Sequence, residues 1–347
     1  MSSLSRLLSA TARDEGRLPS PALRRLAVTT VVITYLLVVW GGVVRVSGSG
    51  LGCGTRDDWP LCQGRLLPTW NEYAVIEFTH RWLAAMATVL VVALVAVAWA
   101  RYRHLRRITV AASAVAALFI VQILLGAATV ELKLPGSVVM VHLANALLLL
   151  GALVFIAVQT YAVALRRTLH RVAEDLSSSR AARRMMYAAG ATYALVLSGA
   201  LVVADGAGAA CDGWPLCGNG FGLDSGRLAT INLVHRAAAG VVAVFVGYAT
   251  AKVLRSHRGG TAVRATAAAV YLLLLAQVVA GALVVELRLP ATARGIHLAL
   301  ASALFATTTL LAMLVNRGLL EDVAARRATV VARTLREPAA HAGTATS

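Results

Sequence analysis

Residues 74–100 read AVIEFTHRWLAAMATVLVVALVAVAWA. From Trp82 onward no charged side chain interrupts the run, and roughly 20 mostly apolar residues are enough for a helix to cross the hydrocarbon core of a bilayer. The segment therefore reads as a membrane-spanning helix that holds Glu77, His80 and Arg81 near one end. Ionisable side chains inside such a helix face protein or a cavity and mark function by default.

Seven further stretches share this character, at 26–45, 108–130, 138–165, 186–204, 229–252, 264–286 and 295–316. The 347-residue chain is 59% hydrophobic, against roughly 45 to 50% for a soluble domain. The expected fold class is all-α, a polytopic membrane protein of eight transmembrane helices. A net charge of +17 does not point to nucleic acid, because the basic residues follow the membrane segments instead of forming one patch. They crowd the N-terminal tail, the segments 101–107, 166–184 and 252–264, and the C-terminal tail. The alternate loops and their borders hold Arg45, Arg56, Arg65, Lys133, Arg227, Arg288 and Arg294. Both termini are thus expected in the cytoplasm. The first 25 residues are polar and basic without a cleavable apolar core, so they read as a cytosolic tail and not a signal peptide.

The chain repeats itself. An offset of 155 residues carries Trp59-Pro60-Leu61-Cys62 onto Trp214-Pro215-Leu216-Cys217, and His80-Arg81 onto His235-Arg236. The same offset carries Gln122 onto Gln277, Gly126-Ala127 onto Gly281-Ala282, Glu131-Leu132 onto Glu286-Leu287, and His142-Leu143 onto His297-Leu298. Cys53 and Cys211 pair at an offset of 158, so the first outer loop is longer. Each half has an even number of crossings, so two tandem pseudo-symmetric four-helix bundles enter the membrane in the same orientation and are related by an axis along its normal. The expected division is a tail at 1–25, an N-terminal half at 26–165, a polar cytoplasmic linker at 166–185, a C-terminal half at 186–316 and a tail at 317–347.

Of the eight histidines, His104, His170, His257 and His341 fall in basic loops or tails and read as solvated polar residues. His80, His142, His235 and His297 fall inside helices near the outer loops, with the same spacing of 62 residues from first to second member in each half. Two imidazoles projecting from facing helices into a bundle core suit axial ligation of a heme iron. A closed zinc site needs four ligands, and no cysteine lies at that depth. No CxxCH run is present for covalent attachment. Arg81 and Arg236 can pair with heme propionates, the alternative being snorkelling to the interface. Glu131 and Glu286, each just before a Leu-Lys/Arg-Leu-Pro run, read as helix-end residues rather than catalysts. One position separates the halves: Glu77, on the helical face of His80, becomes Asn232 beside His235. That asymmetry suggests chemistry in the first half and a resident cofactor in the second.

All four cysteines lie in the two longer outer loops, two per loop, which places that side in an oxidising compartment. Bridges Cys53-Cys62 and Cys211-Cys217 are the simplest pairing; cross-loop connectivity and a redox-active pair stay open.

Glu77-Phe78-Thr79-His80-Arg81, His142, the duplicates His235-Arg236 and His297, and the paired loop cysteines together resemble the heme A synthase family, over roughly residues 26–316. The resemblance implies oxidation of the methyl group at porphyrin position 8 of heme O to the formyl group of heme A, by successive hydroxylations with water-derived oxygen, for cytochrome oxidase. It implies that His80 and His142 hold the substrate heme with Glu77 as the catalytic group, that His235 and His297 hold a heme b cofactor, and that the cysteine pairs match the bacterial disulfide-bearing type. It further implies a multi-pass protein of a bacterial cell membrane with its heme sites toward the outer face, working with a heme O synthase and the cytochrome oxidase assembly machinery. A homo-oligomer stays open, and no nucleic-acid partner is expected. The alternative is a diheme b-type membrane cytochrome passing electrons between a quinol and an outer partner, which has no need of a carboxylate beside one heme.

Overall fold

The computed structural model describes residues 19–54, 61–173, 179–217, 226–255 and 260–316, without the side chains of 162–179. Most of both expected tails, Arg56, Trp59-Pro60, the middle of the linker, the His170 side chain, His257 and His341 lie outside the described residues. Eight helices among them are long and apolar enough to cross a membrane. They are α1 (Pro21–Ser47), α2 (Glu72–Tyr102), α3 (Arg106–Glu131), α4 (Gly136–Ala173), α5 (Ser179–Ala204), α6 (Gly226–Arg255), α7 (Thr261–Glu286) and α8 (Ala291–Leu314). The chain is an all-α polytopic membrane protein. Hydrocarbon offers backbone amides no partner, so each span bonds within itself.

Local signals set the ends. Ser20 caps α1 by accepting from the Leu23 amide at 3.2 Å, ahead of Pro21, the position where a missing N–H costs nothing. Asn71 caps α2 by accepting from Tyr73 and Ala74. Glu131 and Glu286 end α3 and α7, and each is followed by two residues in the left-handed region: Lys133 and Leu134, then Arg288 and Leu289, with φ of 57° to 63°. Non-glycine residues seldom adopt that conformation. Here it turns Leu134 and Leu289 into the cavity. The helices overrun the expected spans, most of all α4, which runs on to Ala173 inside the segment expected as linker. Leu165, Arg166, Arg167 and Leu169 are good helix formers, so the helix continues where the apolar run stops.

Within each half, consecutive helices pack together and the first closes on the last: α1 against α4, α5 against α8. One buried core belongs to each bundle. Leu94, Val115, Leu153 and Ile156 centre the first, and Met185, Val246, Val270 and Leu311 the second. The halves meet along α1, α4, α5 and α8, where Val38, Leu147, Val196, Ala301 and Phe305 bury one another. Two hydrogen bonds repeat across this seam: the Tyr35 hydroxyl donates to the Ala299 carbonyl, and the Tyr193 hydroxyl to the Ala144 carbonyl. They are mates under the repeat, as a two-fold relation along the membrane normal requires. The outer faces of α2, α3, α6 and α7 present Val92, Leu124, Val241 and Leu272, side chains suited to lipid.

Small residues let helices approach where lipid supplies no drive to associate. At the start of α4, a Cβ on Gly136 would lie 2.7 Å from the backbone oxygen of Ala204 on α5. Overpacking of this kind costs about 1 to 3 kcal/mol. Gly136→Ala is therefore expected to lower the melting temperature of the detergent-purified protein by several degrees. A melting curve matching the parent's would contradict this close contact.

Candidate functional site

The four intramembrane histidines sit about two turns inside α2, α4, α6 and α8, all at the end of the protein that carries the cysteine loops. In each half the two histidine helices are diagonal in the ring, so their side chains meet across the bundle interior. A cavity of about 2570 Å³ runs through both halves, and His80, His142, His235 and His297 all line it. That exceeds the roughly 300 to 1,000 Å³ of an ordinary small-ligand pocket. Its walls are mostly aliphatic, with Phe78, Trp82 and Phe119 in the first half.

Each imidazole rests on a glycine of the preceding helix. Added Cβ atoms on Gly41, Gly126, Gly199 and Gly281 would stand 3.2, 3.4, 3.0 and 3.0 Å from the Cε1 atoms of His80, His142, His235 and His297. The rings' polar partners differ between halves. Gln122 reaches both nitrogens of His142 at 3.2 and 3.3 Å and is held by the Asn145 amide, which donates to its carbonyl at 2.7 Å. In the second half Gln277 reaches His297 Nε2 at 3.3 Å, but Leu300 replaces Asn145. Ser198 Oγ lies 2.7 Å from His235 Nδ1. Buried nitrogens remain unpartnered in His80 and His297, at Nδ1 in both.

Glu77 is 4% exposed and fully engaged. One oxygen accepts from the Cys53 backbone N–H at 2.8 Å, the other from Arg81 Nε and Nη2 at 3.1 and 2.7 Å. Arg81 Nη1 donates to the Leu61 carbonyl. Glu77 and Arg81 thus staple the first cysteine loop to α2 while lining the cavity. Asn232 does the same work in the second half with inverted polarity. Its carbonyl accepts from Arg236 Nε, and its amide donates to the carbonyls of Ala207 and Gly208. Arg236 also donates to the carbonyls of Cys211, Gly213, Pro215 and Leu216. The first loop offers an N–H and meets a carboxylate. The second offers carbonyls and meets an amide. The Glu77/Asn232 difference therefore has a structural reason as well as the chemical one expected from sequence.

Both loops are closed by their own disulfides, Cys53–Cys62 and Cys211–Cys217. Cys53 and Cys62 pack on Ala74 and Phe78 of α2. Among the described residues no group of three or more His, Cys, Asp or Glu side chains converges on a metal position. The donor set is two imidazoles per half, all four rings lining the cavity among mostly apolar walls. That fits a planar macrocycle carrying its own equatorial ligands and does not fit a bare ion that needs four protein donors.

Residues 24–309 match the family model of the cytochrome oxidase assembly proteins. A protein named heme A synthase from Geobacillus kaustophilus (strain HTA426) is 30% identical over 294 residues, 82% of this chain and 87% of that one. One of the same name from Geobacillus thermodenitrificans is 29% identical over 85% of this chain and 92% of its own length. A third, from Bacillus pumilus (strain SAFR-032), is 28% identical over 68% and 76%. The chain belongs to the heme A synthase family.

Gly41, Gly199, Ser198 and Asn145 were not singled out by the sequence reading, and Gln122 and Gln277 entered it only as repeat landmarks. The signal for the first two was present, since Gly41 and Gly199 align at the cysteine offset of 158. With both loops self-closed, thiol labelling of the denatured, unreduced protein is expected to modify none of the four cysteines, and all four after reduction. Labelling of any cysteine before reduction would overturn the pairing.

Proposed function

We propose that the protein is a heme A synthase, an oxidoreductase that converts the methyl group at porphyrin position 8 of heme O into the formyl group of heme A for cytochrome oxidase. The observation that carries this reading is the duplicated pair of cavity-facing histidines, with a carboxylate beside the pair of one half only. Family membership supports it, because the relatives carry that name along most of their length.

In this reading His80 and His142 hold the substrate heme, and His235 and His297 hold a heme b cofactor that supplies redox capacity when bound. The glycines beneath the rings let each imidazole lie against its neighbour helix, and Gln122, clamped by Asn145, orients His142. The aliphatic cavity excludes bulk water and accommodates an isoprenoid tail. Each hydroxylation of this carbon with oxygen taken from water releases protons and electrons, the electrons passing on to an external oxidant. Glu77 stands one helical turn from His80 and can accept a proton, with its charge compensated by Arg81. Arg81 and Arg236 spend donors on the loops, and their remaining N–H groups at the cavity edge can meet propionates. The disulfide loops close the cavity end, which we place on the outer face of a bacterial plasma membrane with both termini cytoplasmic. Delivery by a heme O synthase and transfer to the oxidase assembly machinery follow from the same reading.

The carboxylate favours this function over the diheme b-type cytochrome, since electron relay alone gives such a group no task. His235→Ala and His297→Ala are each expected to strip the low-spin b-type heme from the purified protein, as read by its absorption spectrum and heme content. Unchanged spectra and content in both variants would overturn the site. Glu77→Gln should retain heme while conversion of heme O falls by about 100-fold or more, and Asn232→Asp should matter far less. Wild-type conversion at equal protein would remove Glu77 from the chemistry; loss of activity in parallel with melting temperature would assign it to the loop staple alone.

A further inference from the structure

Ser198 lies one residue before the glycine that cradles His235, and its hydroxyl has two neighbours. Oγ is 2.8 Å from the Leu195 carbonyl oxygen one turn back and 2.7 Å from His235 Nδ1. A carbonyl oxygen can only accept, so the single hydroxyl proton is spent on Leu195, as helical serines commonly do. Toward His235 the oxygen then acts as acceptor, and Nδ1 must donate. That fixes the tautomer: the proton sits on Nδ1, and Nε2 keeps its lone pair.

The first half lacks this device. The cysteine offset of 158 places Trp40 where Ser198 stands, and an indole has no acceptor. Trp40 Nε1 donates instead to the Ile76 carbonyl at 2.9 Å, and the buried His80 Nδ1 has no partner. Both rings rest on equivalent glycines, so the halves differ here in the hydroxyl and not in the cradle.

We propose that Ser198 is a positioning residue of the second site: it holds the His235 ring in orientation and in the Nδ1–H tautomer, presenting Nε2 to iron. The inference rests on the reading that His235 and His297 hold a heme. A hydrogen bond from the distal ring nitrogen raises the basicity of a ligating imidazole and steadies its geometry, and losing it typically weakens metal binding by about 10- to 100-fold.

The test uses the full-length protein purified with its bound heme. Heme transfer to an excess of apomyoglobin gives the retention, and redox titration gives the midpoint potential. Ser198→Ala is expected to speed heme loss by about 10- to 100-fold and to move the potential upward, since a less basic imidazole stabilises the ferric state less. Ser198→Thr keeps the hydroxyl and should restore both values. Should Ser198→Ala fail to accumulate, Thr against the shape-matched Ser198→Val decides, with only Val showing the loss. Retention and potential equal to wild type in Ala, or equal in Thr and Val, would overturn the proposal. Failure of the underlying heme reading looks different: His235→Ala and His297→Ala would then keep their full heme content.

Discussion

An imidazole about two turns inside a membrane-spanning helix has no water to satisfy its nitrogens, and a buried polar group without a partner is costly. Four such rings in one chain constrain nearly everything else about it. They need helices close enough for rings to lie on neighbouring backbones, which the glycines at 41, 126, 199 and 281 permit. They need a shared interior space, and the diagonal placement of α2 with α4 and α6 with α8 supplies it. The buried Nδ1 atoms of His80 and His297 still lack protein partners, as is natural for side chains that work with a ligand in place.

The second constraint is the duplication. Each half closes its own ring of helices, and the seam is built from repeat-related contacts such as Tyr35 to Ala299 and Tyr193 to Ala144. A duplicated frame allows the two sites to diverge while the scaffold stays common. The positions that have diverged include groups around the imidazoles and the loops: Asn145 against Leu300, Trp40 against Ser198, Glu77 against Asn232. They give the two sites different polar surroundings on one common frame.

Much of this is legible in the sequence. Eight apolar runs set the crossings, and the offset of 155 with equal histidine spacing picked out four histidines that line one cavity. The intraloop cysteine pairs, left open by sequence, are closed as the simplest pairing expected. What sequence did not reveal depends on register and backbone direction. The cysteine separations of 9 and 6 residues shift the repeat upstream of the loops, which hides the Gly41/Gly199 and Trp40/Ser198 correspondences from a fixed offset. Glu77 looked purely chemical because the Cys53 amide that it accepts from, and the Ala207 and Gly208 carbonyls that Asn232 meets, become visible only once the loops are folded. The helical reach of α4 to Ala173 was not legible from the apolar run, because arginines and leucines carry a helix beyond the bilayer as readily as within it.

The most direct measurement is chromatography of heme extracted from bacteria that make heme O but lack any enzyme for its further oxidation, with and without this gene. The account predicts that the formyl-bearing heme A appears with the gene and is absent without it. Heme O remaining as the sole product, in cells whose membranes contain the folded, heme-loaded protein, would contradict it.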